Sequence, residues 1–210
     1  MKVKLISFTQ PCEDISPETP YELVAYCARV SNPSNQSNNE TAEKLVAYLI
    51  AHKHWSPLEM VNACLEITTT RDIARQILRH RSFAFQEFSQ RYATPVEFVV
   101  RETRLQDSKN RQNSIENSDE ELDQWWKSQQ QAIIDHAKEV YNEAISRGIA
   151  REQARAILPE GNTLTTMYMN GSLRSWIHYI ELRSDNGTQK EHQDIAKACA
   201  QVIHSLHFNK

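Results

Sequence analysis

The sequence predicts an α+β fold, in which helices flank a mixed or antiparallel sheet within a single domain that spans residues 1–210. Apolar side chains alternate with polar ones along Val61–Ile67, which is the period of a half-buried strand. Between Thr41 and His52 they recur instead at helical spacing. Predicted strands and helices follow one another without the βαβ rhythm of a parallel sheet, and 210 residues is an ordinary length for one domain.

The first half of the chain contains a predicted edge strand and two short helices. Residues 2–8 alternate between lysine and apolar side chains, as an edge strand does. Pro20 stands in the first turn of a helix predicted to reach Val30. Thr70 is predicted to cap a second helix that runs toward His80. Two non-helical segments are predicted to follow, the extended chain Phe85–Val100 and the exposed loop Arg101–Asn117.

The second half is predicted to be mostly helical, and capping residues mark where its helices begin. Ser118 with Glu121 forms a capping-box signature for a long helix, and Thr188 with Glu191 forms another for the final helix. The elements predicted between these two are the helix Ala150–Leu158, the strand Thr163–Met169 and a helix capped by Ser172 that runs to about Arg183.

The composition excludes several function classes. Lys and Arg number 24 against 27 Asp and Glu, and the net charge of −3 argues against a general nucleic-acid binder. No apolar run approaches the ~18 residues that span a bilayer, so no membrane association is expected. Only four glycines occur, and they form neither a P-loop nor a dinucleotide-binding fingerprint. A bound nucleotide would therefore be held by side chains.

The cysteine and histidine spacings predict neither disulfides nor a metal site. The four cysteines include no Cys-x-x-Cys pair, which favours reduced thiols and a cytoplasmic location, or the host cytoplasm for a viral protein. The N-terminus lacks the apolar core of a signal peptide. His52 and His54 lie close to Glu59 in the sequence, but a further ligand at metal-binding spacing is missing.

Arginines concentrate between Arg71 and Arg91, where few acids accompany them. Arg71, Arg75 and Arg79 are spaced four apart and would share one helix face, where like charges cost about 0.2–0.5 kcal/mol per pair. A charge-assisted bond to an anion contributes about 1.5–3 kcal/mol. A bound phosphate would offset the repulsion, and so would pairing with Asp or Glu from elsewhere; the composition leaves both open.

The same segment resembles the signature of the flavin-dependent thymidylate synthases, the ThyX family. Arg79-His80-Arg81 is followed after seven residues by Ser89, as in that family's motif. Three further segments resemble family segments in the same order and at similar spacings: His54–Glu59, Arg151–Pro159 and Leu173–Arg183. The resemblance covers the chain from about Ala28 to Glu191. Gln86 and His178 depart from it, because many relatives have Asn at the first position and some have Asn at the second.

The resemblance implies two sets of binding residues. The residues implied to bind FAD are Ser56, Arg79, His80, Arg81, Glu87, Arg174 and His178. Those implied to surround the substrate dUMP are Gln76, Arg79, Glu87, Ser89, Gln90, Arg91, Arg155 and Arg183. Arg183 is the implied catalytic residue, because it would lie against the uracil ring and favour ionisation at N3. A guanidinium suits this role, since it is always charged and donates through a planar fork.

Helical geometry adds one expectation about the segment from Arg174 to Arg183. Arg174 and His178 are four residues apart and share a face, whereas nine residues, about two and a half turns, separate Arg174 from Arg183. One helix could then contact flavin on one side and nucleotide on the other. The resemblance implies a homotetramer with shared active sites, which would use such a helix. Alternatively, both arginines are solvated ends of an amphipathic helix.

The implied reaction is the reductive methylation of dUMP to dTMP. NADPH would reduce the FAD, and methylenetetrahydrofolate would donate the carbon. Two alternatives come from other classes. A flavoprotein reductase without carbon transfer would leave the nucleotide-binding arginines unused, and an Arg-rich nucleotide- or RNA-binding oligomer would be colourless, with binding that weakens steeply in salt.

Overall fold

The computed structural model describes residues 1–93 and 97–206 and shows an α+β fold. The strands are β1 (Lys2–Phe8), β2 (Asn62–Thr70), β3 (Ala84–Glu87), β4 (Arg104–Gln106), β5 (Ser114–Glu116) and β6 (Leu164–Ser172). The α-helices are α1 (Pro20–Ala28), α2 (Ala42–Ala51), α3 (Arg71–Ile77), α4 (Glu120–Ser146), α5 (Arg151–Ala154), α6 (Leu173–Arg183) and α7 (Lys190–Ser205).

The main sheet is antiparallel, with the strand order β1-β2-β6-β3. β1 lies at an edge, as its alternating lysines predicted. The residues predicted to face inward along Val61–Ile67 are all buried: Val61, which precedes β2, and Ala63, Leu65 and Ile67 within it are at most 1% exposed. The predicted fold class is therefore confirmed, and the sheet is antiparallel rather than mixed.

Helices α3, α6 and α7 pack against this sheet and position the candidate site. β2 runs directly into α3, and β6 runs directly into α6. Because β2 and β6 are antiparallel, with Asn62 opposite Ser172 and Thr70 opposite Leu164, the two helices begin at opposite ends of the sheet. Each then runs back along it, and their C-terminal ends meet. Trp176 on α6 anchors this arrangement, because its buried Nε1 donates to the carbonyl of Ala63, 3.0 Å away.

Three predicted caps differ from the structure, although each helix begins within two residues of its predicted start. Ser172 caps α6 as predicted, by accepting from the backbone N–H of Ser175. Thr70 occupies the N-cap of α3, but its hydroxyl accepts from Arg101 instead. The two predicted capping boxes, at Ser118 and Thr188, were wrong. Asp119 caps α4 instead, and Gln189 occupies the N-cap of α7 without a side-chain hydrogen bond.

Two predicted segments also need correction. The predicted loop Arg101–Asn117 contains the hairpin of β4 and β5, which is stabilised by Arg104, whose Nε donates to the hydroxyl of Ser114. Within Phe85–Val100, regular strand structure ends at Glu87, and Phe98 forms an isolated bridge. Residues 94–96 of this prediction lie outside the described residues. Short strands of this kind depend on long-range partners, so local periodicity does not specify them.

Two further observations concern the chain as a whole. Within residues 1–93 and 97–206, no helix combines the length and the apolarity that crossing a bilayer requires. All four cysteines are free thiols.

Candidate active site

The arginine cluster divides into paired and unpaired members. Arg71 donates to Glu87 at 3.4 Å, and Arg75 donates to Glu160 at 2.5 Å. For these two arginines, pairing with acids from elsewhere was the correct interpretation. Arg79 lies beyond the end of α3 at Ile77, so the three arginines do not share one helix face. Arg79 is exposed, which leaves its guanidinium accessible to an anion.

The C-terminal ends of α3 and α6 meet through a hydrogen bond between Arg183 and His80. Nε of Arg183 donates to Nε2 of His80, 2.9 Å away. This bond requires a neutral imidazole, because a protonated ring has no acceptor. Burial, followed by the charges of Arg183 and Arg79, lowers the pKa of His80 to about 4. His80 is therefore neutral at physiological pH and can hold Arg183 in place.

Gln76 lies beside this pair in a partly buried network that connects α3 to α7. Its Oε1 is 3.3 Å from Nδ1 of His192, and its Nε2 donates to Gln189 at 2.8 Å. Nε2 of His192 contacts the hydroxyl of Tyr179 at 3.2 Å, and the Tyr179 ring packs edge-on against His80. The structure thus brings the predicted residues Gln76, His80 and Arg183 together.

His192, Gln189 and Tyr179 were not among the predicted site residues. One signal could have indicated His192: it precedes Ile195 and Cys199 by three and seven residues, so it falls on the apolar face of α7. His192 is 0% exposed, and a buried polar side chain needs a hydrogen-bond partner. The identity of that partner depends on the packing of α7 against α3 and α6, which the sequence does not give.

The opposite face of α6 forms a second group around Arg174. Nη1 of Arg174 and the hydroxyl of Ser172 both donate to Glu59, at 2.5 and 2.7 Å, and these bonds lower the pKa of Glu59. His178 packs edge-on against Trp55, with ring centroids 4.5 Å apart. This separation of Arg174 and His178 from Arg183 agrees with the expectation from helical geometry.

A pocket of about 410 Å³ opens beside this second group. Its lining residues come from the segment before β2, from the turn before β3, from the end of β6 and from α6, and include Glu59, Ser82, Asn170, Ser172, Arg174 and His178. Nε of Arg174 is buried and has no hydrogen-bond partner among residues 1–93 and 97–206. Ser56 is exposed in the adjacent 3-10 turn Ser56–Glu59, and Arg81 is exposed beyond α3. The pocket therefore offers donors for a polar or anionic ligand.

The remaining predicted residues form a third group near β3 and α5. Glu87 accepts from Arg71 and from the hydroxyl of Thr165, the latter at 2.9 Å. Arg91 pairs with Glu152 on α5 at 3.3 Å. The other predicted members differ in exposure, since Ser89 and Arg155 are half-buried and Gln90 is 4% exposed. No hydrogen bond or ion pair found among residues 1–93 and 97–206 joins Arg91 or Arg155 to Arg183.

A larger cavity of about 580 Å³ lies outside these three groups. It is bounded by the β4–β5 hairpin, by α4 and by the residues around the start of α7, including Arg104, Arg111, Trp126 and Gln189. Gln189, one of its lining residues, accepts a hydrogen bond from Gln76 and so connects this cavity to a predicted residue.

Comparison with known proteins decides the family. The family model described as thymidylate synthase complementing protein matches residues 14–207. The chain belongs to this family. The membership confirms the family predicted from the motif around Arg79-His80-Arg81, and it favours neither a carbon-free flavoprotein reductase nor an RNA-binding oligomer.

Curated members of the thymidylate synthase complementing protein family align over most of the chain. The chain is 53% identical over 204 residues to a probable flavin-dependent thymidylate synthase of Paramecium bursaria Chlorella virus 1, covering 97% of this chain and 94% of the relative. It is 51% identical over 210 residues to the flavin-dependent thymidylate synthase of Synechocystis, covering 99% and 96%. A Kosmotoga olearia enzyme of the same name is 31% identical, covering 85% and 78%.

Proposed function

We propose that this protein is a flavin-dependent thymidylate synthase that converts dUMP to dTMP by reductive methylation, within one domain spanning residues 1–210. The hydrogen bond from Arg183 to His80 carries the proposal. It joins two segments 103 residues apart that separately resemble the nucleotide-activating and flavin-binding motifs of the family. Relatives that match nearly the whole chain are named for this activity.

The proposed cofactor is FAD, bound by Ser56, Arg79, His80, Arg81, Glu87, Arg174 and His178. The pocket beside Arg174 suits this group, because the buried Nε of Arg174 lacks a partner and guanidinium donors pair well with phosphate oxygens. Glu59 holds the other end of that guanidinium and fixes its plane. When bound, the reduced flavin supplies the hydride, while the protein orients the reacting groups and excludes water.

The proposed substrate dUMP is surrounded by Gln76, Arg79, Glu87, Ser89, Gln90, Arg91, Arg155 and Arg183. Arg183 is the catalytic residue in this proposal. Because His80 binds its Nε, the Nη donors remain available to the uracil ring. A fixed positive charge there lowers the cost of removing the N3 proton, and it does so without rearranging when the charge develops.

Assembly into a homotetramer with shared sites would bring the third group to the first. Among the described residues, Arg91 pairs with Glu152 and Arg183 with His80, and in this proposal a neighbouring subunit supplies Arg91 and Arg155. Helix α4 offers a surface for such contacts: Trp125, Trp126 and Ile133 are 55%, 41% and 58% exposed, and Ile157 beside them is 46% exposed. Large exposed apolar side chains grouped together are typical of protein interfaces.

The carbon donor is proposed to be methylenetetrahydrofolate, and NADPH is proposed to reduce the flavin. Folate would bind beside the cofactor, where no residue is yet assigned. A cytoplasmic location, or the host cytoplasm for a viral protein, is proposed because all four cysteines are free thiols and folate cofactors are reduced compounds.

Tritium release from [5-³H]dUMP in the presence of FAD, NADPH and methylenetetrahydrofolate tests the proposal directly. We expect a yellow protein that releases tritium only when all components are present. Omission of methylenetetrahydrofolate is the matched control, since a reductase would still oxidise NADPH in that mixture. A colourless preparation that FAD fails to reconstitute, or NADPH oxidation that dUMP does not affect, would contradict the proposal.

A further inference from the structure

The side-chain amide of Gln76 is held within a continuous chain of hydrogen bonds between α3, α6 and α7. Tyr179 and His192 are 3.2 Å apart, and His192 and Gln76 are 3.3 Å apart. Gln76 and Gln189 are 2.8 Å apart, and Gln189 and Glu191 are 2.9 Å apart. One amide oxygen site and one N–H of Gln76 are therefore occupied by the protein itself.

The carboxylate of Glu191 determines the direction of this chain. A carboxylate only accepts, so Gln189 must turn its Nε2 toward Glu191 and its Oε1 toward Gln76. Gln76 must then donate through Nε2, which turns its Oε1 toward His192. His192 must accordingly donate through Nδ1, and its free Nε2 accepts from the hydroxyl of Tyr179.

Burial limits the two far members to partners within the protein, so they follow the direction that Glu191 sets. His192 is 0% exposed and Tyr179 is 1% exposed, so water offers neither an alternative partner. Burial, and then the charge of Arg183, lowers the pKa of His192 to about 3, which keeps its ring neutral. A neutral imidazole has one donor and one acceptor, and both are used here. Reversing the amide of Gln76 would set two donors or two acceptors against each other.

We propose that Gln189 and His192 are positioning residues that fix the amide orientation of Gln76 toward dUMP. This inference rests on the proposed function, in which Gln76 contacts the nucleotide. With one N–H and one oxygen lone pair bound by the protein, Gln76 presents its second N–H and second lone pair to the substrate. A reversed amide would exchange donor and acceptor at that contact and leave polar groups unpaired.

A matched pair of substitutions at the half-buried Gln189 tests the direction of the chain. Gln189→Glu is combined with Glu191→Gln, so that two carboxylates do not face each other across the 2.9 Å contact; the carboxylate at position 189 then still accepts from Nε2 of Gln76, and the amide keeps its orientation. In Gln189→Lys the ammonium only donates, so Gln76 must turn its oxygen toward position 189. The probe is dUMP itself, titrated into the oxidised holoprotein and followed through the flavin spectrum.

We expect Gln189→Lys to weaken dUMP binding about tenfold, the size of one lost hydrogen bond, and Gln189→Glu with Glu191→Gln to stay within about threefold of the wild type. Simple electrostatics gives the opposite order, because the lysine variant adds positive charge that attracts an anionic nucleotide, whereas Gln189→Glu with Glu191→Gln leaves the net charge unchanged. If Gln189→Lys binds dUMP as tightly as the wild type, or if Gln189→Glu with Glu191→Gln is the weaker variant, the proposal is overturned.

Substitutions at His192 provide the second test. His192→Gln keeps one donor for Gln76 and one acceptor for Tyr179, whereas His192→Phe keeps bulk and removes both. We expect dUMP binding to weaken about tenfold in His192→Phe and to recover in His192→Gln. Tyr179→Phe controls for buried hydrogen-bond loss, since it leaves the direction set by Glu191 intact and should bind dUMP normally at a lower Tm.

The outcomes separate this inference from the proposed function. If the wild type releases tritium from [5-³H]dUMP, the proposed function stands whatever the variants do. If dUMP binding weakens equally in His192→Phe and Tyr179→Phe, in proportion to the decrease in Tm, His192 has only a structural role. Should His192→Phe fail to fold, the two Gln189 variants still decide the question, because position 189 is half-buried at the start of α7.

Discussion

At the scale of single residues, the candidate site depends on keeping two histidines neutral next to arginines. His80 accepts from Arg183, and His192 donates to Gln76. Protonation would remove the acceptor nitrogen of each ring, which His80 uses for Arg183 and His192 uses for Tyr179. Motif resemblance implied binding roles for Arg183 and His80. It could not predict that they contact each other, because 103 residues separate them along the chain.

Replacing Arg183 tests its proposed catalytic role. We expect Arg183→Ala to keep bound flavin, whose proposed site lies on the other face of α6, and to lose at least about 10²-fold in kcat, a typical cost of removing a charge-stabilising donor. Arg183→Lys is the control variant, since it restores positive charge without the Nε that binds His80. Flavin absorbance and tritium release measure the two effects; normal turnover in Arg183→Ala would remove the role.

The neutral histidines also make stability depend on pH. His80 and His192 have folded pKa values of about 4 and about 3, below the ordinary value of about 6.5. Between pH 6.5 and these folded pKa values, the unfolded chain binds more protons than the folded one. The contribution of the neutral histidines to the free energy of unfolding is therefore fully present above about pH 6.5 and declines as the pH falls. We expect Tm to decrease from pH 7 to pH 5, and less steeply in His192→Gln. Identical slopes in both proteins would show that His192 does not contribute.

At the scale of elements, the close packing of β6 against the turn before β3 positions α6. Gly171 lies on β6 opposite Ala63, and a Cβ there would stand 2.5 Å from the Phe83 ring. The ring has little room to move, since it packs edge-on against Trp176 with centroids 4.8 Å apart. Glycine at this position therefore allows an aromatic side chain to lie directly over the strand.

We expect Gly171→Ala to reduce the free energy of unfolding by about 1–3 kcal/mol, as overpacking of a close-packed core does. Gly187→Ala is the matched control, because nothing lies within 4 Å of its added Cβ. Chemical denaturation measures both. In the double variant with Phe83→Leu, the cost of Gly171→Ala should shrink, and additive costs would show that the two residues do not interact.

At the scale of the whole molecule, no side-chain hydrogen bond or ion pair found among residues 1–93 and 97–206 links the three groups of predicted site residues. The first group, around Arg183, and the second, around Arg174, lie on opposite faces of α6, while Arg91 and Arg155 lie near α5. A shared active site between subunits would unite them. The exposed apolar side chains of α4 provide the surface on which we expect such subunits to meet.

Complementation between inactive variants tests shared sites. Arg183→Ala and Arg155→Ala should each be inactive alone. When they are co-expressed, mixed oligomers should contain some sites in which both Arg183 and Arg155 are present. Tritium release should then return in part. Absence of recovery, with mixed oligomers verified by mass, would place both arginines in one subunit's site.

A charge placed on α4 tests the proposed interface. We expect Ile133→Glu to lower the oligomer mass measured by light scattering, because a carboxylate is costly to bury in an apolar contact. Gln124→Glu adds the same charge nine residues earlier, about half a turn around the helix, and should leave the mass unchanged. An unaltered mass in Ile133→Glu would exclude this face.

The sequence by itself determined the α+β class and the helix starts to within two residues. The alternating residues of β2 and the helical spacing in α2 are local, period-specific patterns, and Ser172 caps α6 through its immediate neighbours. The family followed from an ordered set of short motifs around Arg79-His80-Arg81. Local propensity and motif spacing can be recognised from the sequence because they involve residues that are close together in the chain.

Only the tertiary structure decided which polar groups meet. It paired Arg71 with Glu87 and directed Thr70 toward Arg101 rather than its own helix. It also buried His192 against Gln76, although 116 residues separate them. Such contacts arise when antiparallel strands place the ends of distant helices together, and the satisfaction of a buried donor or acceptor depends on that three-dimensional arrangement rather than on any local pattern.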